Sequence, residues 1–135
     1  PMDSYAKTCA LVQGEKNYSI QLKMKHGHIF DFPEFFLFAE QYIRGGTPMP
    51  LVARPVVEGG WVRTTVKSET KLIEAKLHYT TAPHEQNRGR TWQTVDLKVK
   101  GNSVQGVAPP KDATVWYVAV RDDRKAIASS EPIVP

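Results

Sequence analysis

The chain of 135 residues is long enough for one ordinary hydrophobic core, or for one domain together with part of another. It is 41% hydrophobic and 24% charged, which is the composition of a globular protein, and its net charge of +4 arises from 18 Lys and Arg residues spread along the chain. Scattered positive charge argues against a nucleic-acid-binding protein, and no apolar run approaches the roughly 18 residues that a membrane-spanning helix needs.

The first part of the chain is weakly periodic. Residues Tyr5–Val12 fit a short helix, and Gly14–Asn17 read as a turn. Cys9 is the single cysteine, which excludes an internal disulfide and favours a buried structural role. Residues Tyr18–Met24 then alternate between apolar and polar side chains, which is the pattern of a half-buried strand.

A helix is predicted over Phe32–Arg44. Asp31 is a good N-cap, Pro33 is tolerated in the first turn, and Glu34 lies three residues after Asp31, as in a capping box. The Gly45-Gly46 pair ends the helix. Apolar side chains spaced by three and four residues give it one apolar stripe, formed by Phe35, Phe38, Ala39, Tyr42 and Ile43.

Two histidines, His26 and His28, lie on the predicted loop between this strand and this helix. Open α/β sheets place ligands and catalytic groups at such connections, so both are candidate catalytic residues. His26 follows the strand after Lys25, and Gly27 leaves room around its ring, which favours His26 with His28 as the alternative. The other interpretation is that both only orient Asp31 or cap the helix. Histidines at i and i+2 need further metal ligands that this spacing does not supply, so neither a metal nor another cofactor is expected.

After Pro50 the pattern changes to short β-rich runs separated by turn residues, which is typical of an all-β sandwich. Seven strands within about 85 residues fit an immunoglobulin-like or fibronectin-type-III-like module. We therefore divide the chain into a strand–loop–helix segment, residues 1–50, and a β-sandwich module, residues 51–135. The predicted strands are Leu51–Val57, Trp61–Lys67, Ile73–Thr80, Thr91–Val99, Ser103–Ala108, Thr114–Arg121 and Ala126–Val134.

The polar groups of the sandwich have ordinary interpretations. His78 falls on a strand and His84 in a polar loop. Asp122-Asp123 lies in a turn, where Asp is favoured, and calcium would need more oxygen ligands than this turn supplies. For Trp61, Trp92 and Trp116, packing is favoured over the alternative of a sugar-stacking platform.

Two parts of the sequence resemble a known enzyme family. Residues 24–50, MKHGHIFDFPEFFLFAEQYIRGGTPMP, are similar to the C-terminal end of an α/β-hydrolase domain in bacterial esterases of the acetyl xylan esterase and dienelactone hydrolase kind. There, the catalytic histidine follows the last sheet strand and precedes a closing helix. The downstream chain resembles the β-sandwich appended to some of these enzymes, at Lys76–Thr81, Arg90–Trp92, Trp116–Asp122 and Ala128–Pro132.

The resemblance implies a triad histidine without its partners. An α/β-hydrolase takes its triad in the order Ser, Asp or Glu, His, and no serine here has the Gly-x-Ser-x-Gly flanking. A histidine with neither nucleophile nor oxyanion hole has nothing to activate, so the chain alone is expected to be inactive. The expected partner is a missing upstream hydrolase domain, and the resemblance implies a carbohydrate ester substrate and a periplasmic or secreted parent protein.

Two further expectations concern association. The apolar helix stripe and the lone strand predict a homodimer through residues 1–50, because exposed stripes and strand edges recruit partners. The alternative to an enzyme fragment is a stand-alone binding or structural β-sandwich that docks a carbohydrate or a protein.

Overall fold

A computed structural model describes residues 2–23, 32–83 and 90–135. The strands in these ranges form two antiparallel sheets, so the predicted mainly-β class is confirmed. The elements are α1 Met2–Leu11, α2 Pro33–Arg44, β1 Leu51–Val52, β2 Val56–Glu58, β3 Trp61–Lys67, β4 Leu72–Thr80, β5 Gln93–Asp96, β6 Lys98–Lys100, β7 Ser103–Val107, β8 Val115–Asp122 and β9 Ile127–Ser129.

The chain passes between the two sheets three times, after β3, β5 and β7. The first sheet runs β1-β3-β7-β6, with β2 pairing to the same strand, β3. The second sheet runs β5-β4-β8-β9. Their facing sides form one core that includes Val62, Leu77, Val104, Trp116 and Val118. Burying each such apolar side chain stabilises the fold by about 1.5–3 kcal/mol, so this core is the main source of stability.

Two predicted strands are each divided. Leu51–Val57 becomes β1 and β2, because Pro55 has no amide hydrogen for the ladder. Thr91–Val99 becomes β5 and β6, which lie in different sheets. The chain changes sheets at Leu97, whose side chain enters the core. A Cβ at Gly106 would lie 2.5 Å from Leu97 Cδ2, so the glycine makes room for this crossing.

The strand predicted over Tyr18–Met24 is wrong for the residues that the structure describes, 18–23. Tyr18 makes a single bridge to Ser129. The Ser129 amide donates to the Tyr18 carbonyl at 2.8 Å, and the Ile20 amide donates to Ser129 Oγ at 3.2 Å. The segment then turns at Leu22-Lys23. It follows the edge of β9, and β9 is too short to pair with a full strand.

Both predicted helices are present. The helix expected over Tyr5–Val12 corresponds to α1, and the one expected over Phe32–Arg44 is confirmed as α2. Gly45 ends α2 in the left-handed conformation, with φ of 66°. The capping role predicted for Glu34 is wrong, because its carboxylate reaches β9 instead. Asp31, the predicted N-cap, lies outside the described residues.

Candidate functional site

The histidines predicted as catalytic, His26 and His28, fall in residues 24–31, outside the part of the chain that the structure describes. His84 also lies outside it, in residues 84–89. The flanks of residues 24–31 are described on both sides. On one side, Leu22 lines a surface cavity that Ile127 also lines. Glu34, on the other side, accepts a hydrogen bond from the Ile127 amide at 2.6 Å. Glu34 is therefore hydrogen-bonded to the first residue of β9, and Leu22 lines the same cavity as that residue.

Polar contacts join one side of α2 to β9 and to the connection that leads to β1. Glu34 is buried, and its Oε1 accepts the hydrogen bond from β9. Two turns further along, Gln41 Oε1 accepts a hydrogen bond from the Met49 amide at 3.0 Å. Leu37 lies on the same face between them and is half-buried. The spacing of i, i+3 and i+7 puts these side chains on one side of the helix, which therefore faces the sandwich.

A buried ion pair fastens the connection between α2 and β1. Asp122 is fully buried at the end of β8, and its Oδ2 lies 2.7 Å from an Arg124 guanidinium nitrogen. Arg124 also donates to the carbonyls of Thr47 and Pro48 at 2.9 and 3.1 Å. Thr70 donates to Asp122 Oδ2 at 2.9 Å. One carboxylate thus ties the β8–β9 turn, the β3–β4 connection and the end of α2 together.

The opposite face of α2 is apolar and open to solvent. Phe36, Tyr42 and Ile43 are 57%, 59% and 78% exposed. The Phe38 and Tyr42 rings contact each other, with centroids 4.8 Å apart. The predicted apolar stripe is therefore present, and its members Phe38, Tyr42 and Ile43 are exposed to solvent.

A groove lies on the outer face of the second sheet. Because Val118 and Val120 enter the core, the alternation of β8 puts Tyr117, Ala119 and Arg121 on the outer face. A small residue between two large ones leaves a depression over Ala119. Residues 20–22 form one wall, and the cavity has a volume of about 230 Å³.

Three charged side chains border this groove. Lys76 Nζ lies 2.7 Å from Glu74 Oε1, and Arg121 Nε lies 3.5 Å from Glu74 Oε2. The hydrogen bond from Lys76, followed by the two positive charges, lowers the pKa of Glu74 and keeps it ionised at neutral pH. The groove therefore combines two cations with one carboxylate, while Ile20, Leu22 and Ile127 supply apolar surface.

His78 borders the groove without the geometry of a catalytic base. Its Nδ1 lies 2.9 Å from Thr94 Oγ1, and its ring lies 5.0 Å from the Tyr117 ring. Burial, followed by the charge of Lys76, lowers the pKa of His78 to about 4. Among the described residues no carboxylate accepts a hydrogen bond from this ring, as a triad would require. The ordinary role predicted for His78 agrees with this arrangement.

Tyr117 lies on the outer face of β8, where other side chains cover it. It is fully buried although it points away from the core, because His78 and Trp92 cover its ring. Burial raises the pKa of its hydroxyl. That hydroxyl has no hydrogen-bond partner within the described ranges. Trp92 thus packs against the protein itself, in agreement with the packing role expected from the sequence.

Within residues 2–23, 32–83 and 90–135, no three His, Cys, Asp or Glu side chains converge on a point where they would hold a metal ion. No helix in the same ranges is long and apolar enough to cross a membrane.

The chain matches no protein-family model, no curated protein and no solved structure. The resemblance to esterases therefore remains an expectation from the sequence.

Sequence reasoning missed the groove and the anchors of α2. One feature of the sequence indicates the covered face: residues 115–120, Val-Trp-Tyr-Val-Ala-Val, are apolar without interruption. A strand of that composition is buried on both sides, so its outer face must be covered by another part of the chain. No local pattern indicates that Glu34 binds β9, because the two partners are 93 residues apart.

Proposed function

We propose that the chain is a non-catalytic, immunoglobulin-like β-sandwich module that presents α2 and a histidine-bearing loop to an α/β-hydrolase-type esterase domain. The observation that carries this proposal is the two-sided character of α2. On one side of the helix, Glu34 binds β9 of the sandwich and Gln41 binds the connection to β1, and the aromatic side is left exposed.

The strand order supports the immunoglobulin-like interpretation. With β1 and β2 together as strand A, the first sheet reads A-B-E-D through β3, β7 and β6. The second sheet reads C′-C-F-G through β5, β4, β8 and β9. The change of sheet at Leu97 then falls between strands C′ and D, and the buried Trp116 lies on strand F.

The exposed face of α2 supports docking on a second domain. A face with Phe36, Phe38, Tyr42 and Ile43 exposed together is larger than the isolated apolar residues found on most protein surfaces. The sequence of α2 resembles the closing helix of a hydrolase, whose apolar side lies against the catalytic sheet. The hydrolase domain is therefore the occupant we assign to this face.

In that assembly His26 is the general base, with His28 as the alternative. Its task is to accept the proton of a serine hydroxyl that the catalytic domain supplies, as the triad histidine does in serine hydrolases. The chain itself supplies no Gly-x-Ser-x-Gly elbow. The sandwich contributes by binding Glu34, on the C-terminal flank of the histidine segment, through the Ile127 amide. The substrate class implied by the resemblance is a carbohydrate ester.

Hydrolysis of 4-nitrophenyl acetate tests the catalytic part. The chain as written should show no rate above buffer, because it has no nucleophile. The coding sequence upstream should encode a Gly-x-Ser-x-Gly elbow between a strand and a helix. In a protein that contains this elbow, His26→Ala should lower kcat by at least about a thousandfold, whereas the matched variant His28→Ala should keep most of the activity. An esterase activity of the chain alone that disappears with His26→Ala would reveal a nucleophile within it and contradict the proposal.

Light scattering tests the docking part. The separately expressed catalytic domain should bind the chain through α2 and should compete with the homodimer through residues 1–50 that the sequence predicts. Replacing Phe36 and Tyr42 by Ser should abolish that binding. Replacing Val56 and Val57, exposed apolar residues of β2, by Ser should leave it unchanged. A stable homodimer that Phe38→Glu dissociates would assign the face to a second copy of the chain instead.

A second candidate function is a stand-alone binding module. The groove on the outer face of the second sheet favours it, because residues 20–22 and the sandwich line that groove without a second domain.

A further inference from the structure

The groove over Ala119 owes its shape to the residues of β8. Tyr117 and Arg121 flank Ala119 on the same face, and the register puts Lys76 of β4 directly beside Ala119. On the other side Ile127 is the register partner of Arg121 on β9. Side chains of Ile20 and Leu22 close the remaining wall. The floor of the groove is thus the Ala119 methyl group, with apolar side chains on one side of it and charged side chains on the other.

The two cations of this groove are not equivalent. Lys76 is engaged by Glu74 at 2.7 Å. Arg121 makes the longer contact, 3.5 Å from its buried Nε to Glu74 Oε2, while its side chain as a whole is 43% exposed. Among the described residues, no hydrogen bond uses the terminal nitrogens of its guanidinium. A guanidinium has five N–H donors in a planar fork that matches a carboxylate. Arg121 is therefore the cation with donors to spare.

We propose that this groove binds a small organic carboxylate, with Arg121 pairing with the carboxylate and Ala119, Ile20, Leu22 and Ile127 contacting the apolar body. The proposal does not rest on the docking of a hydrolase domain, because the groove residues that it uses lie on the outer face of the second sheet and are not part of the exposed apolar face of α2. The charge favours an anion, since Lys76 and Arg121 exceed Glu74 by one positive charge. His78 is uncharged at neutral pH because burial lowers its pKa to about 4.

The volume limits the ligand to a small one. Pockets for drug-sized ligands enclose about 300–1,000 Å³. The groove, at about 230 Å³, is smaller. A single ring or a short acyl chain bearing one carboxylate fits such a volume, and a longer sugar chain does not. Asp96, the register partner of Lys76 on β5, is exposed and is not part of the described groove wall.

Benzoate is the probe that tests this proposal, with benzamide as its neutral counterpart and inorganic phosphate as an anion without an apolar body. In two-dimensional amide NMR spectra of the full chain, benzoate should shift the signals of residues 20–22, 119–121 and Ile127. For a ligand of this size we expect a Kd of roughly 1–10 mM. Benzamide and phosphate should each bind at least about tenfold more weakly, because each lacks one of the two features that the groove recognises.

Two variants localise the binding. Arg121→Gln should weaken benzoate binding at least about tenfold by removing the cation. Ala119→Leu should abolish binding by filling the depression. Arg63→Gln, an exposed arginine on the first sheet, is the matched control and should bind benzoate like the original chain. Thermal unfolding identifies variants that have lost the fold, and Arg121→Gln decides the question if Ala119→Leu is one of them.

Three results would overturn the proposal. If benzamide bound as tightly as benzoate, the groove would recognise the apolar ring and not the carboxylate. Equal binding of phosphate would identify a general inorganic-anion site. The absence of shifts, or shifts that persist unchanged in Arg121→Gln, would show that this groove takes no carboxylate.

Discussion

The outer faces of the two sheets differ in what covers them. On the first sheet, β3 and β7 alternate strictly between buried and exposed residues, and Trp61 and Val107 face solvent. On the second sheet, β8 is buried on both faces except at Arg121. Residues 20–22 and the Trp92 ring lie against this second sheet. The first sheet contributes one face to the core, whereas the second sheet also packs against other parts of the chain on its outer face.

The candidate functional features lie on the side of the molecule formed by the second sheet. The groove, His78, the Asp122–Arg124 pair and the Glu34 anchor all involve the second sheet or its turns. Core closure needs only one apolar face from each sheet. A sheet whose second face is covered has additional contacts through which helices and loops can be positioned. Substitutions on the second sheet should therefore have larger effects than matched ones on the first.

The largest effect is expected at the buried ion pair. Asp122→Ala leaves the Arg124 guanidinium without its carboxylate and removes the acceptor used by Thr70. The free energy of unfolding should fall by about 3–5 kcal/mol, measured by urea denaturation. On the first sheet, Glu58→Ala breaks an exposed pair with Arg63 at 3.9 Å and should cost less than about 0.5 kcal/mol. Equal losses in the two variants would remove the contrast between the sheets.

A smaller effect is expected from the protonation of His78. Its folded pKa of about 4 lies below the ordinary value of 6.5, so the unfolded chain binds more protons between these pH values. Stability should be fully present above about pH 6.5 and fall as the pH drops towards 4. Allowing for the partial exposure of the ring, the loss should be about 1–2 kcal/mol.

The control for this pH dependence is His78→Phe. Phenylalanine keeps a ring against Tyr117 and does not titrate. The difference in stability between pH 7 and pH 4.5 should therefore be smaller in the variant than in the original chain, as followed by thermal unfolding at each pH. An unchanged difference would assign the pH dependence to other groups.

The smallest effect is expected at the Tyr117 hydroxyl. This group is buried and has no partner among the described residues, so it has lost its hydration without compensation. Tyr117→Phe should leave the free energy of unfolding unchanged or raise it by up to about 1 kcal/mol. Tyr117→Ala, which also removes the covered ring, should lower it by about 3–5 kcal/mol. A clear destabilisation by Tyr117→Phe in chemical denaturation would show that the hydroxyl has a partner.

Local patterns were sufficient for many of the elements. The predicted bounds of Trp61–Lys67 agree with β3, and α2 ends at Gly45 as expected. The strand predicted at Tyr18–Met24 failed over residues 18–23 although its alternation is clear. Alternation indicates only that one side of a segment is covered. Here the segment lies along β9 with a single bridge and one side-chain hydrogen bond, without a ladder of hydrogen bonds.

The sequence by itself determined the mainly-β class, the turn positions, α2 and its apolar stripe, because these depend on residues a few positions apart. The tertiary structure alone decided which side of α2 packs, where the chain changes sheets, and that Ala119 and Arg121 form a groove with Ile20 and Leu22. The contacts responsible join residues far apart in the chain, as Glu34 with Ile127 and Arg124 with Pro48. Such contacts become favourable only after the sandwich has formed, because the buried surfaces that receive these side chains do not exist before the two sheets pack.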